Sequence, residues 1–84
     1  MADVWIVLSE DRHTDVNAYP FTSEVAALEA AHTEAEGNAR EPGDVHEAEL
    51  SQVMIRDGWC LLLEYGTEGD CVRVVKRELD AQRA

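Results

Sequence analysis

Asp44-Val45-His46-Glu47-Ala48-Glu49-Leu50-Ser51-Gln52-Val53-Met54-Ile55-Arg56-Asp57-Gly58-Trp59 is the stretch on which the reading of the fold turns. Asp44 and Glu47 stand three apart, as in a capping box with Asp in the place of Ser or Thr. Leu50, Val53 and Met54 follow at helical spacing, so the pattern predicts a helix that turns these three inward and ends at Gly58. A rival reading starts from Asp57-Gly58. Between apolar runs that dipeptide is a two-residue hairpin signal, which would make Val53–Arg56 a strand. The spacing and the upstream cap favour the helix.

Downstream, Trp59 to Tyr65 reads as an apolar strand and residues 66–70 as a turn. Cys71 to Leu79 reads as a strand alternating Val72 and Val74 with Arg73 and Arg77. The tail from Asp80 to Ala84 is expected to fray. Upstream, Pro42-Gly43 punctuates a loop. Before it, Thr22-Ser23-Glu24 supplies a hydroxyl cap and a first-turn acid for a helix running to about Glu36. Val25, Leu28, His32 and Ala35 fall on one arc of that helix. Gly37-Asn38 is a suitable stop, and the alanines at 26, 27, 30 and 31 allow close approach to a sheet. Val4-Trp5-Ile6-Val7-Leu8 reads as a strand apolar on both faces. Val16 to Phe21 returns as a second strand, marked as an edge by Pro20.

The order predicts one α+β domain over residues 1–84: a four-stranded antiparallel sheet, β-β-α-α-β-β, with both helices packed on one face. If each hairpin and the helix pair reverse direction, the 10–15 loop, the 37–44 loop and the 66–70 turn share one end. Asp11, Arg12, His13, Asp15, Glu41, Asp44, Glu68 and Asp70 would gather there. Strand alternation also sorts the sheet faces. With Val4, Ile6, Leu8, Leu61, Leu63, Val72 and Val74 toward the helices, Trp5, Val7, Cys60, Leu62, Arg73, Val75 and Arg77 face away. Tryptophan and arginine on an open apolar face mark a protein-binding surface.

Glu49-Leu50, Asp57-Gly58-Trp59-Cys60-Leu61-Leu62 and Val74-Val75-Lys76-Arg77 together resemble small uncharacterised prokaryotic and phage α+β proteins. These share a Leu-containing helix, a Gly-Trp step into a strand, and a final strand ending in basic residues. Glu10-Asp11-Arg12-His13 is similar to the opening of such proteins. The resemblance covers about the C-terminal third of the chain and implies no activity.

Charge narrows the partners. Eighteen acids against seven bases give a net charge of −11, and Lys76 is the single lysine. A field of that sign opposes direct binding to nucleic acid or anionic membrane, and attracts basic protein surfaces. The charge is also segregated. Glu24 to Glu49 holds eight acids and one base, Arg40, whereas Cys71 to Ala84 holds four bases and two acids. Val4–Leu8 is too short for a secretory leader, and no run approaches a membrane span. Two cysteines without CxxC spacing predict a reducing, cytoplasmic setting.

Chemistry-bearing motifs are sparse. Asp11-Arg12-His13-Thr14-Asp15 is the densest cluster, able in principle to hold an anion or pair His13 with a carboxylate. His13, His32, His46, Cys60 and Cys71 lack zinc-ligand spacing, and no EF-hand pattern occurs. Gly66-x-x-Gly69 lacks the lysine and helix of a phosphate loop. His32 is expected beside the sheet and His46 in a first helical turn. These features predict no enzyme, metal or cofactor. They predict an acidic binding or inhibitor protein, of the kind mobile elements carry, docking on a basic partner or on itself as a homodimer. Its expected binding residues are Trp5, Asp11, Arg12, His13, Asp70, Arg73 and Arg77. The alternatives are an oligomer sequestering an anionic metabolite or nucleotide near Arg12, His13 and Arg73, and an enzyme using His13.

Overall fold

The structure, a computed structural model, describes residues 2–10, 16–39, 41–65 and 70–79. Strand β1 spans Ala2–Glu10 and β2 Asn17–Phe21. Helix α1 follows at Glu24–Asn38, then a 3-10 turn at Pro42–Asp44, β3 at His46–Glu47 and α2 at Gln52–Arg56. Strands β4, Trp59–Tyr65, and β5, Asp70–Leu79, complete the order. The strands form one antiparallel sheet in the order β2-β1-β5-β4-β3. The class is therefore α+β as expected, with five strands rather than four and one main helix rather than two.

The stretch 44–59 accounts for that difference. It is neither one long helix nor a strand before Asp57-Gly58. His46 and Glu47 pair with Glu64 and Leu63, and the Ala48 N–H donates to the Leu62 carbonyl at 2.8 Å. Pairing the backbone groups along β4 outweighs the capping-box pattern, because an unpaired strand edge leaves its donors and acceptors to water. Helix starts only at Ser51, whose hydroxyl accepts from the Met54 N–H at 3.2 Å. The resulting α2 is five residues long. Val53, expected inward, is 73% exposed; Leu50 and Met54 are half-buried; His46 lies on a strand.

Ser23 caps α1, accepting from the Ala26 N–H at 3.3 Å. The helix passes through Gly37 and Asn38 and closes with the Ala39 N–H on the Ala35 carbonyl at 2.9 Å, so no left-handed stop is used there. Its buried stripe is Ala27, Ala31 and Ala35, at i, i+4, i+8. Val25 is 65% exposed and His32 is exposed, so the arc expected from the larger side chains is rotated from the true contact line. Alanine wins because the absence of a long side chain lets the helix axis approach the sheet closely. Val7, Leu61, Leu63, Tyr65, Val72 and Val74 receive the stripe, with Leu28, Trp5 and Phe21 packed at its margins.

Register fixes which face is which. Val7 lies opposite Val74 and Ser9 opposite Val72, so the odd residues of β1 share the face of β5 that touches α1. Trp5 and Val7 therefore face the helix, while Val4, Ile6 and Leu8 face away, the reverse of the expectation for this strand. Residues apolar on both faces carry no parity of their own, and a shift of one residue moves every side chain across the sheet.

Candidate functional site

The face turned away from α1 can be read row by row from the pairing. One row is Pro20, Ile6, Val75 and Trp59; the next is Ala18, Leu8, Arg73 and Leu62; the third is Glu10, Cys71, Glu64 and His46. Val4 and Arg77 lie beyond the first row. Simple alternation would place Trp59 with Leu61 on the helix side. The register shifts between these two residues, so Trp59 pairs with Val75 and Leu61 with Val74. This irregularity turns the indole onto the open face. Strand alternation in the sequence does not point to Trp59; the adjoining Gly58 is the one local hint of a backbone change.

Arg73 organises the centre of this face. Its guanidinium meets Glu10 at 2.6 Å and lies 5.0 Å from the centre of the Trp59 ring. Both partners restrain a cation whose side chain is 23% exposed. Arg77 works differently. It donates to the carbonyls of Asp57 and Lys76 and stands 3.7 Å from the Asp57 carboxylate, clamping the corner before β4. Gly58 at that corner has φ +93°, and its backbone passes against the Lys76 carbonyl and the Arg77 guanidinium.

The seven expected binding residues do not form one site. Arg73 and Arg77 share the open face. Trp5 lies on the opposite side, with the Lys76 ammonium 5.8 Å from its ring centre and its indole N–H buried without an acceptor among the described residues. Asp70 is buried at the start of β5, opposite Tyr65. Asp11, Arg12 and His13 lie outside the described residues, as do Asp15 and Glu68. The boundaries of the loops do converge. Glu10 pairs with Cys71, Tyr65 with Asp70, and the Asn38 amide donates to the Ser9 hydroxyl at 3.3 Å, which brings the end of α1 to the same end of the sheet.

The second surface is acidic. Glu24, Glu29 and Glu36 on α1 are exposed, as are Glu41, Asp44, Glu47 and Glu49 beyond it. Among the described residues none of these seven carboxylates has a cationic partner, whereas Asp3, Glu10 and Asp57 each meet a base.

Neither cysteine is set up as a nucleophile. Burial pushes the thiols of Cys60 and Cys71 up, with Glu24 adding to the effect at Cys60 and Glu10 at Cys71. Both stay protonated at neutral pH, and a thiol is a far weaker nucleophile than a thiolate. No three His, Cys, Asp or Glu side chains among those described stand close enough to hold a metal ion. A shallow depression bounded by Val53, Met54, Arg56, Asp57 and Trp59 offers few converging polar groups. No described helix is long and apolar enough to cross a membrane.

Comparison with protein families, characterised proteins and solved structures finds no match to this chain.

Proposed function

We propose that this chain is a non-enzymatic acidic binding protein that docks its helical side onto a basic protein surface, such as a nucleic-acid-binding groove. The observation that carries the reading is the run of seven exposed carboxylates from Glu24 to Glu49 without cationic partners among the described residues. Such charges remain available to an incoming cationic surface, and most of their interaction with it would be electrostatic. A rigid α1, capped at Ser23 and seated on the sheet by alanines, presents several of them at fixed spacing.

Immobilised protein exposed to a host lysate tests this. Capture should occur at low salt, fall steeply by ~0.5 M salt where the screening length shrinks to a few ångströms, and be competed by duplex DNA or RNA. The double variant Glu29→Lys/Glu36→Lys should capture at least ~10-fold less, as expected for reversal of steering charges. Capture indifferent to salt and to both substitutions defeats the reading.

A further inference from the structure

On the open sheet face Arg73 and Arg77 stand against Glu10 and Glu64, with Asp57 at the corner beside Arg77, in a chain whose net charge is −11. Two copies approaching through their acidic helical sides would repel. Through the sheet face the local charges are mixed, and only the repulsion of the net charges remains. The apolar residues between these charges are Ile6, Leu8, Trp59 and Leu62, all partly exposed, around a Val75 that is only 3% exposed. Helix α1 lies on the other face, and α2 meets the sheet at β4, beside Trp59.

We propose that this face binds a second copy of the chain about a two-fold axis perpendicular to the strands. The charges dictate the orientation. Glu10 and Glu64 lie at one end of the face and Arg77 at the other. An axis parallel to the strands would set Glu10 of one copy against Glu64 of the second. The perpendicular axis reverses the rows instead. Ile6 then meets Leu8 of the second copy, Trp59 meets Leu62, and Arg77 falls over Cys71 between Glu10 and Glu64. Each contact occurs twice, as two-fold symmetry requires.

The size suits a weak, reversible contact. Four strands at about 4.8 Å and three rows about 6.8 Å apart give a footprint of about 19 by 20 Å. Two such faces project about 760 Å², below the ~1,200 Å² that stable specific interfaces bury and in the range of transient ones.

This proposal is independent of the acidic docking surface, and the two respond to salt with opposite signs. Screening the repulsion between two −11 chains should tighten self-association, whereas it should weaken docking on a basic partner.

Sedimentation equilibrium of the wild type across about 1–200 μM, where interfaces of this size associate, should show a dimer that tightens with salt. Leu62→Glu and Ile6→Glu each place a like-charged pair of carboxylates in the interface and should weaken it at least ~100-fold, with far-UV circular dichroism unchanged. Arg77→Glu and Glu64→Arg should each weaken it, and the double variant should recover at least ~10-fold over either alone if the axis is right. A reading that needs no disruptive variant comes from Trp5→Phe, which leaves Trp59 as the sole tryptophan. Acrylamide quenching of Trp59 should rise as that protein is diluted through dissociation. A wild type that stays monomeric throughout overturns the proposal, as does a dimer insensitive to Leu62→Glu and Ile6→Glu. Quenching unchanged on dissociation overturns it too.

Discussion

Gly58 is where one atom would matter most. A Cβ at this position would stand 2.6 Å from the Lys76 carbonyl oxygen and 2.8 Å from an Arg77 guanidinium nitrogen, on a backbone at φ +93°. Both contacts and the dihedral disfavour any L side chain. Gly58→Ala should therefore cost about 2–4 kcal/mol, combining left-handed strain with displacement of the corner before β4 from β5. Urea denaturation measures it, and a loss under ~0.5 kcal/mol would show that the corner relaxes freely. The dipeptide Asp57-Gly58 signals a turn in the sequence, and a turn forms. The sequence favours a helix entering it, and one does, but not where that helix begins, because Ser51 is as good a cap as Asp44 and only the pairing along β4 decides between them. Arg73 is similar in kind. Its place on the open face follows from alternation with Val72 and Val74, but its stacking on Trp59 depends on a shift in register that alternation hides.

The relation between α1 and the sheet belongs to the scale of elements. Three alanines, each fully buried, set the distance between helix and strands. Leucine at the middle position has no room to enter. Ala31→Leu should cost about 1–3 kcal/mol by overpacking, while the same change at exposed Ala26 should cost under ~0.5 kcal/mol. Thermal or urea unfolding of the two variants tests the pair, and equal effects would contradict the close approach described. The helix itself was legible from Ser23, the alanines and the length of the periodic run. Its buried face was not, because hydrophobic reading weights Val25 and Leu28 above alanine, whereas packing selects the residues that let two backbones meet. Strand β1 was legible for the same reason that its faces were not. Five consecutive apolar residues announce a buried strand without saying which of them look toward the helix, and the pairing of Val7 with Val74 supplies what is missing.

At the scale of the whole molecule the governing quantity is charge. Eighteen acids and seven bases on 84 residues repel one another in the compact state. Added salt should raise the melting temperature by several degrees between about 0.02 and 0.5 M, since ~1 kcal/mol moves a domain of this size by about 4–8 °C. The measurement is cleanest with Leu62→Glu, so that association does not contribute. A flat or falling melting temperature would mean that the ion pairs of Arg73, Lys76 and Arg77, which salt also screens, matter more than the net repulsion. The sequence shows this balance plainly and also shows its segregation. What it does not show is that two of the seven bases sit on the sheet face opposite α1, because that needs the strand order.

That strand order has a further consequence, in time rather than space. The central ladder joins β1 to β5 through nine register pairs, from Ala2 with Leu79 to Glu10 with Cys71, and even the nearest pair spans most of the chain. On the ribosome β1 must wait until β5 has emerged, and α1 has no complete sheet to sit on until then. Hairpin β1–β2 and the capped α1 can form early, but the valines that receive the alanine stripe arrive with the last strand of the sheet. Folding thus waits on the synthesis of β5 and carries a high loop-closure cost, and the nascent chain holds an unsatisfied apolar strand throughout the stretch from Glu10 to Cys71.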